Sequence, residues 1–140
     1  MTNDRHTIAV IDDDWHMLVA LERFLAVCGY KSDLYRTTCG FLQAARTTTA
    51  KCLIVDCHVG PDSGIQMVRD LAAQGVHYPT IFLTGSSDDD LRNQANALNC
   101  VAFLRKPADT ARLQEALITA IQRAHTASSS TAAAERPIAG

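Results

Sequence analysis

Five times along this 140-residue chain, a short strand-like run gives way to a segment whose apolar residues recur every three or four positions, and four of those runs are apolar and stop at a polar or charged residue. The first run, Thr7 to Ile11, halts at Asp12-Asp13-Asp14, after which Leu18, Leu21, Leu25 and Cys28 fall at helical spacing. Gly29 then marks a left-handed helix exit. Ser32 to Arg36 supplies a second strand, and Phe41, Leu42 and Ala45 a short helix. Cys52 to Val55 is continuously apolar, as a strand covered on both faces would be, and ends at Asp56. After a loop, Ser63 is placed to cap a helix whose Ile65, Val68 and Leu71 or Ala72 share a face, with Gly75 at its end. Thr80 to Leu83 stops at Thr84-Gly85. Asp88 to Asp90 then put negative charge where a helix begins, ahead of Leu91, Ala95 and Leu98, and Asn99 suits the exit. Val101 to Leu104 closes at Arg105-Lys106-Pro107, and Asp109 caps a last helix carrying Leu113, Leu117 and Ile121. Strict strand-helix alternation predicts an α/β domain, with a parallel sheet between helix layers.

The alternation fills residues 1–125. From Thr126 to Gly140, ten of fifteen residues are Ala, Ser or Thr, which predicts a flexible tail or linker too short for an output domain. Thirteen basic and fifteen acidic side chains leave a formal charge of -2, and no Lys/Arg run tracks a phosphate backbone, so direct nucleic-acid binding is not expected. The five cysteines form no C-x-x-C pair, which argues against a disulfide framework or a zinc site. No apolar stretch reaches the roughly 20 residues of a membrane helix, and the polar start lacks a signal peptide. A cytoplasmic location is expected.

In open parallel sheets ligands bind beyond the carboxyl ends of the strands. Those ends carry Asp12 and Asp13, Asp56, Thr84 and Lys106. Carboxylates about 4 Å apart repel by about 4 kcal/mol per pair at an effective dielectric of 20, so such a cluster calls for a cation, and hard oxygen ligands favour magnesium. Asp56 then has the character of a carboxylate nucleophile. Lys106 and the metal would neutralise a phosphoryl group, Thr84 would donate to it, and Gly85 would let the backbone approach. Taken singly, each residue has an ordinary explanation as a cap or turn former. One cap accounts for one aspartate, however, and the triplet leaves two others without a structural reason.

These residues resemble the receiver domains of two-component response regulators, of the single-domain, CheY-like type. The segments IAVIDDD, LIVD, PTIFLTG and FLRKP match in order, and the likeness extends from Thr7 to about Arg123. The resemblance implies a flavodoxin-like, doubly wound (βα)5 fold with five parallel strands and five helices on both faces. It implies that Asp56 is phosphorylated and that Asp12, Asp13, Asp56 and the backbone carbonyl of His58 hold Mg2+, with Mn2+ as a substitute. Lys106 and Thr84 would complete the site, Thr84 and Phe103 would act as the switch, and Lys106-Pro107 would be cis. On its own position Phe103 reads equally well as a core phenylalanine, and the His58 imidazole as exposed or as a modulator of phosphoryl lifetime. The implied partners are a sensor histidine kinase or histidine phosphotransfer protein and a downstream protein bound through the fourth helix, fifth strand and fifth helix. The chain would assist its own phosphorylation and dephosphorylation without being an enzyme in the usual sense. Two departures stand out. Gly60 occupies a position where the family usually has proline, with Pro61 following, and Trp15 is bulky for the mouth of the site.

Two other readings compete. A haloacid-dehalogenase-like phosphatase would use Asp12 as nucleophile with Asp14 two positions on, although Trp15 and His16 replace that motif's usual residues. The second is an interaction module of the same fold that takes no phosphate.

Overall fold

The computed structural model describes residues 5–135, with side chains through Thr126. Five parallel strands form one sheet: β1 (Thr7–Ile11), β2 (Lys31–Tyr35), β3 (Cys52–Asp56), β4 (Thr80–Thr84) and β5 (Ala102–Arg105). Five helices alternate with them: α1 (Trp15–Val27), α2 (Thr38–Ala44), α3 (Gly64–Ala73), α4 (Asp89–Ala97) and α5 (Thr110–Glu135). The spatial order is β2-β1-β3-β4-β5, so the winding reverses between β1 and β3. The expected doubly wound α/β fold is the one observed.

Side-chain alternation along the strands builds two cores. Ile8, Val10, Cys52, Ile54, Ile81 and Leu83 face one way, against Leu18, Leu21 and Leu25 of α1 and Leu113 and Leu117 of α5. Ala9, Ile11, Leu53, Val55 and Phe82 face the other way, against Phe41, Ile65, Leu71 and Ala95 of α2, α3 and α4. Because β1, β3 and β4 are covered on both faces, they read as unbroken apolar runs.

Helix boundaries follow the local chemistry. Asp14, Ser63 and Asp88 are N-caps, each accepting a hydrogen bond from an amide two or three residues on. Gly29, Gly75 and Asn99 exit with positive φ. Of the three apolar residues read as the short second helix, Phe41 and Ala45 are buried and Leu42 is 44% exposed. Helical backbone runs on to Glu135, so α5 extends into the segment from Thr126 that is expected to be a tail or linker. Alanine has the highest helix propensity, and no glycine or proline interrupts the segment before Pro137. Residues 136–140 of that expected tail lie outside the described residues.

A feature with no periodic signature in the sequence follows β3. His58–Val59 and Asp62–Ser63 form a small antiparallel hairpin, with Gly60 at φ 61° in its turn. No described helix is long and apolar enough to cross a membrane.

Candidate functional site

The reversal of winding between β1 and β3 opens a crevice at the carboxyl edge of the sheet, and the acidic residues lie there. Asp12 follows β1 directly, and its amide donates to the Tyr35 carbonyl at the end of β2 (3.0 Å). Asp56 ends β3. Both are buried, at 1% and 8% exposure, whereas Asp13 is exposed. Oxygens of Asp12, Asp13 and Asp56 all lie within 4.8 Å of one another.

Lys106, the residue after β5, reaches across this cluster. Its Nζ donates to Asp12 Oδ2 at 3.0 Å and to Asp56 Oδ2 at 2.9 Å. The other carboxylate oxygens are met by backbone amides. Asp14 N–H donates to Asp12 Oδ1 (2.9 Å), and His58 N–H to Asp56 Oδ1 (3.1 Å). Burial pushes the Asp12 carboxyl up, against the Asp14 amide and Lys106, which pull it down. For Lys106, burial pulls the ammonium down, but the hydrogen bonds to Asp56 and Asp12 outweigh it and the net direction is up. The pair of carboxylates thus holds a firmly protonated lysine.

Thr84 closes β4 and is fully buried. Its hydroxyl accepts from the Ser86 amide at 3.0 Å, and its carbonyl accepts from the Lys106 amide at 2.7 Å. Thr84 therefore anchors the backbone of the lysine, and its hydroxyl is not hydrogen-bonded to Asp56. Lys106-Pro107 is cis.

The loop after Asp56 is shaped by Gly64, whose amide donates to the Cys57 carbonyl at 3.0 Å. A Cβ at Gly64 would overlap the Asp56 carbonyl oxygen and Val55 Cγ1, so only glycine lets α3 start this close to β3. Asp62 accepts from the Thr38 hydroxyl at 3.0 Å and ties the hairpin to α2. Cys57 is buried, and its thiol is pushed up to about 12 by that burial and by the Asp56 charge, which leaves it inert as a nucleophile.

The family model described as Response regulator receiver domain matches residues 8–118. The chain belongs to this family. The transcriptional regulatory protein FixJ of Bradyrhizobium diazoefficiens is 33% identical over 135 residues, which is 96% of this chain and 65% of that protein. The response regulator protein TmoT of Ectopseudomonas mendocina is 28% identical over 124 residues, or 89% of this chain and 56% of that protein. Among solved structures, full-length FixJ from B. japonicum superposes with a TM-score of 0.81 at 32% identity, covering 93% of this chain and 64% of that one. The signal receiver domain of an HD domain-containing protein from Pseudomonas fluorescens Pf-5 gives a TM-score of 0.79 at 25% identity, covering 87% and 98%. The receiver domain thus spans between about half and two thirds of the curated regulators it matches.

Within this receiver domain the two rival readings are not favoured. The phosphatase reading needs Asp14 as a working carboxylate beside Asp12, but Asp14 caps α1 by accepting the His16 amide at 3.0 Å. The inert-module reading would not require Lys106 to bridge two buried carboxylates. Trp15, the first residue of α1, is 51% exposed and does not close the pocket; the Arg36 guanidinium sits 5.8 Å from its ring centroid. The His58 side chain is exposed, and its backbone amide donates to Asp56 Oδ1. Phe103 is half-buried against the α2–α4 core, with the Arg92 guanidinium of α4 at 5.0 Å from its ring centroid. The sequence held no sign of that contact, because it depends on how α4 lies across β5.

Proposed function

We propose that Asp56 is the phosphoryl acceptor of this receiver domain, with Lys106 and the Asp12–Asp13 pair as its working partners. The observation that carries the assignment is the bridge of Lys106 Nζ between Asp12 Oδ2 and Asp56 Oδ2. It puts a permanent cation where a transferred group would accumulate negative charge.

The carboxylates of Asp12, Asp13 and Asp56 form an oxygen donor set that fits a hard divalent cation, magnesium or manganese, and the backbone carbonyl of His58 would complete it. When bound, such a cation supplies neutralising charge on the phosphoryl oxygens. The residues of the chain do the remaining work. An Asp56 oxygen forms the new P–O bond as the donor's P–N bond breaks, and the departing imidazole keeps the bonding pair and takes up a proton. Lys106 holds the developing charge. Thr84, once released from the Ser86 amide, turns its hydroxyl toward the new anion, and Phe103 follows inward. The donor is a sensor histidine kinase or a histidine phosphotransfer protein. The output surface is formed by α4, β5 and α5, and it acts on a downstream protein in the cytoplasm rather than on nucleic acid. The chain accepts the group and assists its own phosphorylation and dephosphorylation, with no external substrate turned over.

Incubation with acetyl phosphate and magnesium tests the assignment. The intact mass should rise by one phosphoryl group, the adduct should be labile to hydroxylamine, and Asp56→Asn should lack it. An adduct that persists in Asp56→Asn and disappears in Asp12→Asn would instead restore the phosphatase nucleophile.

A further inference from the structure

At the edge of the sheet opposite Asp56, the amino ends of β1, β2 and β3 border a cavity of about 630 Å³. Lys31 opens β2 and Lys51 immediately precedes β3. Their amides donate to the His6 and Thr7 carbonyls at 2.9 Å and 2.8 Å, so the two lysines flank the start of β1, about 10 Å apart as two strand spacings require. Arg5 and His6 enter from the segment before β1, and His125 from α5. Among the described residues no acidic side chain lines the cavity. Among the described residues the only ion pairs are those of Lys106 with Asp12 and Asp56, so Arg5, Lys31 and Lys51 have no carboxylate partner there. Five basic side chains from four parts of the chain thus converge, with no counter-charge among the described residues, in a protein whose formal charge is -2. The wall on the α5 side is different: Ile121 and Ala124 are apolar and half-buried. A second depression of about 490 Å³ shares His6, Ile121 and His125 and continues the cavity along α5.

We infer that this basal cavity is a binding site for a small polyphosphorylated anion, with its phosphates between Lys31 and Lys51 and an organic part against Ile121 and Ala124. Three permanent positive charges match a di- or triphosphate better than a monophosphate. The volume lies within the range of about 300 to 1,000 Å³ usual for small-ligand sites, and an apolar wall with a few convergent polar groups is the usual lining. The cationic cluster is invisible along the sequence because its members are far apart, and only strand pairing and the docking of α5 bring them together. A ligand there would touch both the sheet and α5, tying the last helix to the body of the domain. The site is independent of Asp56 and of any metal held beside it.

The test is a titration of the metal-free chain, followed through its backbone amide resonances, with inorganic tripolyphosphate and in parallel with adenosine triphosphate. The expected result is saturable shifts at Thr7, Lys31, Lys51 and His125, with Asp56 and Lys106 unmoved. Affinity should fall at least tenfold in a Lys31→Gln/Lys51→Gln variant, whose substituted positions are exposed and whose fold is checked by the unchanged remainder of the spectrum. Tighter binding of the nucleotide would support the apolar wall as part of the site, and equal binding would overturn that part. Shifts reproduced by sodium chloride at matched ionic strength, shifts centred on Lys106, or shifts unaltered in the double variant would overturn the site itself.

Discussion

A side chain on Gly64 would collide with the Asp56 carbonyl, whereas Gly60, four residues earlier, faces open space but holds φ at 61°. The two glycines therefore make different demands. Gly64→Ala should cost about 1–3 kcal/mol of stability, as overpacking does, and should displace Asp56. Gly60→Ala should cost about 1–2 kcal/mol for the left-handed backbone and leave Asp56 in place. Denaturant unfolding measures the losses, and the yield of acetyl-phosphate adduct separates the two, falling in the first variant and persisting in the second; equal yields would refute the distinction. Asp12 gives a second prediction. Its carboxyl lies above its ordinary 3.8 because burial disfavours the charge more than the Asp14 amide and Lys106 favour it. The folded chain consequently binds this proton more tightly than the unfolded chain. The ionised group costs stability at neutral pH, and that cost disappears as the pH falls through the folded value toward 3.8. Asp12→Asn should thus raise the metal-free melting temperature at pH 7, by an amount that shrinks in acid, while weakening magnesium binding. A lower melting temperature at pH 7 would mean that the Lys106 bridge outweighs the burial.

Between elements, the contact of α4 with β5 rests partly on Arg92 over Phe103. A cation above an aromatic face contributes about 0.5–1 kcal/mol at a partly exposed site. In a double-mutant cycle, Arg92→Ala and Phe103→Leu should show a coupling of that size; a coupling indistinguishable from zero would remove Arg92 as a restraint on the ring. Much at this scale was legible beforehand. Ser63, Asp88, Gly29 and Asn99 act where their side chains or backbone freedom predict, and most strand ends fall within one residue of the expected runs. The hairpin after β3 was not legible, since two-residue strands carry no periodicity. Beyond Thr126 composition and propensity point different ways, since a run of Ala, Ser and Thr resembles a linker while its alanines favour helix, and α5 extends to Glu135.

Across the whole molecule, the site around Asp56 and the proposed output face are joined through β4 and β5, since Thr84 binds the Lys106 amide and Phe82 lies beside Phe103 in the sheet. Phosphorylation at Asp56 should therefore move amide resonances across α4, β5 and α5, with a coupling of about 1–3 kcal/mol to whatever binds there. Changes confined to the neighbours of Asp56 would refute the switch. The sequence by itself determined the five-fold alternation, and with it the two-layered core, because strand and helix periods are local properties of which side chains must leave water. It also determined which residues stand at the strand ends. Only the tertiary structure decided what those residues do together. Lys106 is 50 positions from Asp56 and 94 from Asp12, and its bridge exists because the strand order carries β1, β3 and β5 to one edge. The basal cluster of Lys31, Lys51 and His125 follows the same logic at the other edge. Charges so far apart along the chain interact only when packing fixes their distance, and packing is a property of the assembled sheet.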